Sequence, residues 1–521
     1  MAIRTVGPHS VFPTIAAAMN VAGPGDEIRL EAGYSNETAT ITHSGMTVFG
    51  GTSSHGIVLN LGMGIATVTL TGTAPITLHD ASDGNGIVGN AGNNRITVSG
   101  GVDAVDGGLG VDRLVVDYRL ATGAVTGDST SNFTEAGGGG RTVTLTAGTI
   151  EHFTVLTGAG ADTITTGAGN DVIRTASGAS TVSAGQGYNI IVGGGNADTI
   201  TALDGGNFVN AGNGTNTITT GGGTDVIRTG TGADTIVAGG GADRITLHGG
   251  ADTVDAGAGN DRLIIDYSAL LTSVIGGVTG GNLGTGYVGH ITDQSVSVLD
   301  FQRSENFTII SGSGDDRLTT GGGIDVLRGN LGNDRLNAGA GNDFLFGGTG
   351  NDFLSGGTGN DLLVDSTGND LMSGGSGNDR LFAGTGVDTI YGGIGADLLH
   401  GGADNDRLFG GTGRDLLTGG WGADSFMFRT AAEAGIGAAR DVITDFSHGI
   451  DTIDLGGIDA DSILVGNQAF GFIGAAAFSH VAGQLRYAGG NIQGDMDGDG
   501  LADFAIQITN LAMLTQSDFV L

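Results

Sequence analysis

Between residues 311 and 427 an aspartate returns at every ninth position without a slip: Asp316, Asp325, Asp334, Asp343, Asp352, Asp361, Asp370, Asp379, Asp388, Asp397, Asp406, Asp415 and Asp424. Two places after each stands an apolar residue, from Leu318, Leu327 and Leu336 through Met372 to Phe426, and the four places opening each unit are mostly glycine. A representative unit is Gly347-Gly348-Thr349-Gly350-Asn351-Asp352-Phe353-Leu354-Ser355. Carboxylates and backbone carbonyls, with no thiol or imidazole in the frame, are ligands for a hard cation. The flexible, many-oxygen arrangement suits Ca²⁺ better than strictly octahedral Mg²⁺. A disordered glycine-rich linker would also be acidic, but it has no reason to keep an apolar residue at a fixed place in every unit.

These residues need elements that hold them in register. Glycine accepts positive φ and lets backbone approach closely, so glycine-rich places followed by aspartate describe a tight turn with carbonyls turned inward. The last three places then form a very short strand with one buried side chain. If a coil consists of two turns and two strands, residues eighteen apart stack. Asp316, Asp334 and Asp352 head one ladder, and Asp325, Asp343 and Asp361 the other. Stacked strands lie about 4.8 Å apart, and two carboxylates at that spacing repel by on the order of 3 kcal/mol at an effective dielectric near 20. Repeated up both ladders, that repulsion predicts that the array does not fold without a counter-ion.

The unit G-G-x-G-x-D-x-L-x resembles the calcium-binding nonapeptide of the RTX (repeats-in-toxin) family. The resemblance implies a parallel β-roll with multiple Ca²⁺ ions held between successive turns. The expected fold class is all-β, a right-handed parallel β-helix or β-roll solenoid with a short N-terminal capping helix and a C-terminal β-rich cap domain.

The same frame recurs more weakly upstream. Residues 80–115 form four units with Asn85, Asn94, Asp103 and Asp112 at the metal place. Residues 157–264 form twelve units reading Asp162, Asp171, Ser180, Asn189, Asp198, Asn207, Asn216, Asp225, Asp234, Asp243, Asp252 and Asp261. Here aspartate stacks on aspartate only for Asp225 with Asp243, Asp243 with Asp261, and Asp234 with Asp252. That gives three sites, against eleven in the later array. Asparagine removes the repulsion and can hydrogen-bond along a ladder, so the middle of this block is expected to need less metal.

The remaining segments read as caps and excursions. Within residues 1–79, Pro13 is a good first helical residue, Ile15, Ala18, Met19 and Ala22 share a face, and Gly23-Pro24 ends the helix. Short strands are predicted at 27–31, 38–41, 46–49, 57–61 and 66–70. Phe12-Pro13-Thr14-Ile15-Ala16-Ala17-Ala18, Gly23-Pro24-Gly25-Asp26-Glu27-Ile28 and Ala32-Gly33-Tyr34 resemble the opening of pectin-lyase-like β-helices, where a helix covers the end of the solenoid. Two segments break the frame, 116–156 and 265–310, and they look duplicated. Asp112-Arg113-Leu114-Val115-Val116-Asp117-Tyr118 matches Asp261-Arg262-Leu263-Ile264-Ile265-Asp266-Tyr267. Protruding strands or loops able to grip a partner and merely longer coils are equally expected readings of both.

From 428 to 521 a different domain is expected. Asp441-Val442-Ile443-Thr444-Asp445-Phe446, Gly449-Ile450-Asp451-Thr452-Ile453-Asp454-Leu455 and Asp518-Phe519-Val520-Leu521 resemble the C-terminal domain of serralysin-type proteins. The resemblance implies a cap carrying an uncleaved type I secretion signal, hence the secretion machinery as a partner. Asp495, Asp497 and Asp499, followed by Asp503, alternate around Gly498 as in calcium loops without completing the EF-hand pattern. A separate Ca²⁺ site and a plain acidic turn both fit.

The 521 residues carry a formal charge of −35, no cysteine and 106 glycines, and all 20 basic residues are arginine. Such acidity disfavours nucleic acid and anionic membranes as partners and favours divalent metal. No apolar run approaches a transmembrane segment, and Met1-Ala2-Ile3-Arg4-Thr5 does not open a signal peptide. There is no His-Glu-x-x-His and no Gly-x-Ser-x-Gly. The chain lacks the lysine that many polysaccharide lyases use, and Tyr34, Tyr118 and Tyr267 stand apart from any cluster. The sequence thus points to a secreted, extracellular or cell-surface, non-enzymatic calcium-binding protein that folds on Ca²⁺ and self-associates into a surface layer, filament or matrix. The alternatives are a β-helix polysaccharide lyase or epimerase, and a calcium-dependent adhesin for cell-surface polysaccharide.

Overall fold

The computed structural model describes residues 1–80, 83–137, 139–293, 298–462, 464–510 and 513–521. Parts of the first short repeat unit and of both excursions therefore lie outside the described residues. Strands dominate, helix is confined to a few short turns, and the fold is the expected all-β parallel solenoid. It divides into two compact units, 1–261 and 262–521.

In the first unit, successive strands alternate between two parallel sheets. Ile3–Val6, Glu27–Leu30, Met46–Gly50, Thr67–Gly72, Gly86–Val88 and Val102–Asp106 follow one another in one sheet. Thr38–Ile41, Ile57–Leu61, Ile76–His79, Arg95–Val98, Arg113–Tyr118 and His152–Thr157 follow in the other. The predicted cap strands are present within one or two residues of their expected limits. The helix is shorter than expected, Ile15–Met19, with Thr14 as its N-cap, so Pro13 lies before the helix rather than at its first turn. Glu37 explains the difference: its carboxylate accepts the N–H of Ile15 at 2.8 Å and of Ala16 at 3.1 Å, fixing where the helix begins. The Tyr34 hydroxyl is bonded to the same carboxylate.

Through the first array the pairing interval is eighteen residues, for example Thr199 opposite Thr217 and Thr217 opposite Thr235, with one register shift where Gly212 lies opposite Thr229. Side chains alternate across each short strand, so the eighth place of every unit points inward. All of these apolar side chains are essentially sealed from solvent, from Ile164 to Val254.

The second unit repeats the plan over residues 311–427, where most strands are six residues long, and only Arg317–Thr319, Leu362–Val364 and Ser425–Met427 keep to three. Phe344–Thr349 pairs with Val326–Leu331 and Phe353–Thr358 with Arg335–Ala340. They run on into the opening places of the next unit, because the turn backbone itself keeps the register: Asn330 lies opposite Gly348 and Leu331 opposite Thr349. The turn demands a left-handed residue at its fourth place. Gly350 has φ +135° there, and a Cβ would run into the Gly332 carbonyl one coil away. In the one unit of this array without glycine at that place, Asp404 takes it with φ +80°, a conformation aspartate tolerates better than most residues. Every eighth-place side chain from Leu318 to Phe426 is fully buried.

The excursions form the expected extra strands, but set into one sheet of the solenoid and not protruding from it or lengthening a coil. In the first, Val125–Asp128, Asn132–Glu135 and Thr142–Leu145 form an antiparallel meander set into one sheet, its outer strands parallel to Val102–Asp106 and Thr163–Thr165. The opposite sheet runs past without interruption, Arg113–Tyr118 onto His152–Thr157. The second repeats this with Ile275–Asn282, Gly286–Thr292 and Val298–Ser304, while Arg262–Asp266 pairs directly with Asn306–Ile310. The matching sequences therefore fold alike, as a duplication should. Tyr118 and Tyr267 are fully buried at the start of each meander, so their rings pack the core instead of facing a ligand.

Candidate metal centre

The thirteen sixth-place aspartates of residues 311–427 all lie inside the turns, none more than 3% exposed. Each ladder is joined by one repeated bond: the backbone N–H of one aspartate donates to Oδ1 of the aspartate eighteen residues later. One ladder runs Asp316, Asp334, Asp352, Asp370, Asp388, Asp406, Asp424 at 2.7 to 2.9 Å. The other runs Asp325, Asp343, Asp361, Asp379, Asp397, Asp415 at 2.8 to 2.9 Å. Oδ1 is thus satisfied, whereas Oδ2 of all thirteen is buried without a hydrogen-bond donor. A buried carboxylate oxygen left in that state costs several kcal/mol unless a proton or a cation meets it.

What surrounds Oδ2 is oxygen. The asparagine rungs of the first array mark the directions, because Asn Oδ1 takes the same backbone N–H and leaves Nδ2 in the place of Oδ2. Nδ2 of Asn189 donates to the carbonyls of Gly185 at 3.1 Å and Gly187 at 3.2 Å. Asn207 does the same toward Leu203 and Gly205, both at 2.9 Å, and Asn216 toward Gly212 and Gly214. The amides also reach the next rung: Asn189 to Asn207 at 3.0 Å, Asn207 to Asp225 at 3.1 Å and Asn216 to Asp234 at 2.9 Å. With aspartate in that place, the two carbonyls and the next carboxylate converge with no donor among them. The first glycine of the unit completes the cradle. A Cβ on Gly329 would meet Asp334 Oδ2 and the Gly347 carbonyl. Where threonine opens the unit instead, its hydroxyl fills that space, Thr220 donating to the Ala238 carbonyl at 2.6 Å and Thr320 to the Ala338 carbonyl at 2.9 Å. All-oxygen donors in a glycine-lined turn fit Ca²⁺.

Electrostatics agree with the geometry. Burial first, and then the charge of neighbouring rungs, pushes Asp334 and Asp406 up to about 8. Burial likewise raises Asp325, Asp361, Asp370 and Asp397 to about 7. In the first array Asp243 and Asp252 are raised to about 7 and Asp261 to about 6, again by burial. Asp225 and Asp234 are raised for the same reason, and the expected stacks are present: Asp225 to Asp243, Asp234 to Asp252 and Asp243 to Asp261, each at 2.8 Å.

The asparagine rungs supply a direct test. Changing Asn207→Asp removes an amide that donates to two carbonyls and to Asp225, and adds a buried charge next to Asp225. We expect about 3 kcal/mol or more of destabilisation in chelator, most of it recovered in Ca²⁺. Urea denaturation under both conditions measures it, and equal loss with and without Ca²⁺ would mean that the rung does not discriminate between amide and ion.

Several site residues were not evident from the repeat frame. The ladders do not stop at Asp415 and Asp424: the N–H of Asp415 donates to Asp441 Oδ1 at 2.8 Å and that of Asp424 to Asp451 Oδ1 at 3.0 Å. Strands Asp441–Ile443 and Thr452–Asp454 pair with the last two strands of the array. The signal was present in Asp441-Val442-Ile443 and Asp451-Thr452-Ile453, each an aspartate two places before an apolar residue, but the intervening residues break the interval of nine. Asp365, at the first place of its unit, also falls outside the metal place of the frame; it lies 5% exposed beside Asp352 and Asp370.

The acidic loop near the C-terminus is different in kind. Asp495, Asp497 and Asp503 bring carboxylate oxygens within 4.8 Å of one another, without Asp499. Asp495 is buried, but both its oxygens already accept backbone N–H groups, from Gly498 at 2.8 Å and Gly500 at 3.0 Å. Asp497 and Asp499 are exposed and accept N–H groups of Asp499 and Leu501.

Comparison with known proteins agrees with this geometry. The family model described as "RTX calcium-binding nonapeptide repeat (4 copies)" matches in overlapping windows over residues 82–114, 154–263 and 310–426. No curated protein matches the chain. Among solved structures, the extracellular lipase LipA from Serratia marcescens is similar at 14% identity over 58% of this chain, with a TM-score of 0.14. The chain spans only 40% of that lipase's length. No helix among the described residues is long and apolar enough to cross a membrane. With thirteen inward carboxylates in two ladders and the family model on the same residues, the chain carries three blocks of the RTX calcium-binding nonapeptide repeat, folded as a parallel β-solenoid.

Proposed function

We propose that the protein is a secreted, non-enzymatic structural solenoid whose repeats fold on Ca²⁺ outside the cell and whose folded form associates with further copies of itself in a surface layer, filament or matrix. The observation that carries the calcium-linked part is the pair of ladders in which every Oδ2 is buried against other oxygens. One feature supports association. Apolar side chains stand on the outer surface of the second array, among them Phe344, Leu371, Ile394, Leu416 and Trp421, the last 84% exposed. Phe344, Leu416 and Trp421 belong to one sheet and Leu371 and Ile394 to the other, so both faces offer apolar side chains that the core does not use.

The resemblance of residues 428–521 to serralysin-type secretion domains supports export by the type I machinery. The last strand, Phe519–Val520, pairs with Thr452–Asp454, and Asp518 is buried against His448 and the Gly449 N–H. The Asp518 and Phe519 side chains are accessible only before folding, which suits passage of an unfolded chain from a calcium-poor compartment. The resemblance of residues 1–79 to pectin-lyase-like caps likewise supports a capping role for Ile15–Met19.

A calcium-dependent adhesin is the second reading, favoured by the Trp421 ring over a shallow surface lined by His400, Gly402, Ala403, Thr418 and Gly420. Aromatic rings over open, flat surfaces suit sugar faces. The lyase reading gains less. Arg119 and Arg141, which line the surface depression beside the first meander, are paired to Asp117 and Glu135.

Electron microscopy with and without Ca²⁺ tests the proposal. Ordered sheets or fibres are expected in Ca²⁺ and not in chelator. Monodisperse particles in both would refute assembly, and glycan retention lost in Trp421→Ala would then favour the adhesin.

A further inference from the structure

One rung of the second array differs from all the others. The first place of each unit there holds glycine, alanine, serine or threonine except at Asp365. Its backbone position keeps the coil regular, with its N–H donating to the Phe382 carbonyl at 2.7 Å. Its Oδ1 accepts the N–H groups of Gly348 at 2.9 Å and Ser366 at 2.8 Å. Its Oδ2 has no donor and points into the cradle above Gly347, where an added Cβ would run into both Asp365 Oδ2 and Asp352 Oδ2. Asp352 and Asp370, linked at 2.8 Å through the Asp352 N–H, also present buried Oδ2 atoms without donors. Carboxylate oxygens of all three lie within 4.8 Å of one another, and the residues are 3%, 5% and 2% exposed in chain order.

A serine or threonine at the first place carries a hydroxyl donor; an aspartate adds a third charge and no donor. Because neither Oδ2 has a donor, Asp352 and Asp365 can be joined by a proton that one of them keeps or, once both are ionised, only by a cation. Two hydrogen bonds hold Asp365 Oδ1, so the side chain cannot swing out of the cradle without losing both.

We propose that Asp352, Asp365 and Asp370 form a tricarboxylate site for a hard divalent cation, Ca²⁺, that binds more tightly than any two-carboxylate rung of the same array and fills first. This rests on the reading of the repeats as calcium sites. Calcium affinity in all-oxygen sites rises with the number of charged ligands, and this rung sits mid-array, with coils on both sides to organise. By linkage, the first ion bound there stabilises the coils against which its neighbours bind.

The test titrates the metal-stripped full-length chain with Ca²⁺ by calorimetry in the presence of a competing chelator, beside Asp365→Asn and Asp365→Gly. The glycine variant restores the residue found at the same place in the units on either side, Gly356 and Gly374, and guards against a folding defect in the first. The unaltered chain is expected to bind one Ca²⁺ about tenfold more tightly than the rest. Both variants should lose that step while binding the same total number of ions. In chelator, Asp365→Asn should raise the urea midpoint, because a repelling charge is gone; a residue with only a packing role would not stabilise on removal. A tight step that persists in both variants, or a titration of the unaltered chain in which all ions bind equally, overturns the proposal while leaving the calcium reading of the repeats intact. Failure of the unaltered chain to bind any Ca²⁺ overturns both.

Discussion

Stripping calcium at pH 8 is expected to abolish the β signal of residues 311–427 in far-UV circular dichroism, and adding Ca²⁺ back is expected to restore it. Each pair of ionised carboxylates about one strand spacing apart contributes repulsion on the order of 3 kcal/mol, whereas a whole domain is stable by only about 5–15 kcal/mol. Here the pairs are consecutive and shielded from water, with every Oδ2 lacking a donor. Ionisation of even a few rungs therefore exceeds what the narrow apolar core can offset. Ions that bind only the folded state reverse the balance by mass action, each contributing about 2.7 kcal/mol when its free concentration is a hundredfold above its dissociation constant. The middle of the first array, where Asn189, Asn207 and Asn216 supply their own donors, should survive chelation better. A spectrum of the full-length chain indifferent to chelator at pH 8 would remove the basis for calcium-linked folding.

The second large effect is of pH on the metal-free protein, and its sign is opposite to the usual behaviour of paired aspartates. Burial raises the folded-state values of Asp334 and Asp406 to about 8, of Asp361 and Asp370 to about 7 and of Asp388 and Asp424 to about 6, against 3.8 for an ordinary aspartate. Between pH 4 and 8 the folded chain therefore keeps protons that the unfolded chain has released. Stability falls with rising pH wherever the folded state binds more protons. Metal-free protein should be most resistant to urea near pH 4 to 5 and lose that resistance progressively up to pH 8. With Ca²⁺ the trend reverses, because the ion binds the deprotonated ligands and its affinity grows as protons leave. Urea midpoints measured from pH 4.5 to 8 in chelator and in Ca²⁺ should cross. A chelated midpoint that is flat or rises over that range would show that the ladder carboxylates are not held away from water.

Much of this site was legible in advance because it is periodic. An interval of nine with aspartate sixth and an apolar residue eighth has few physical solutions, and stacking at eighteen follows once two turns close a coil. The roles of Asn207 and Asn216 were also legible, since an amide can donate where a carboxylate cannot. Less legible were contacts that depend on backbone not in frame. Asp441 and Asp451 extend the ladders because two later strands pair onto the array after 25 and 26 intervening residues, a spacing that no repeat predicts. The excursions were legible as extra strands, but not in where those strands pair, for a related reason. Their alternating residues allow strands, but only pairing partners decide that a meander enters one sheet while the other passes by.

The sequence alone determined the periodic part: which side chains enter the core, which carboxylates stack, and that oxygen ligands for a hard cation recur along the chain, because those properties follow from local geometry repeated at a constant interval. Only the tertiary structure decided which carboxylate oxygen of each pair is left without a donor, that Asp365 shares a cradle with Asp352 and Asp370, and where the ladders end. Those depend on distances between strands separated by a full coil or by an insertion, and such distances are fixed by pairing and not by order in the chain.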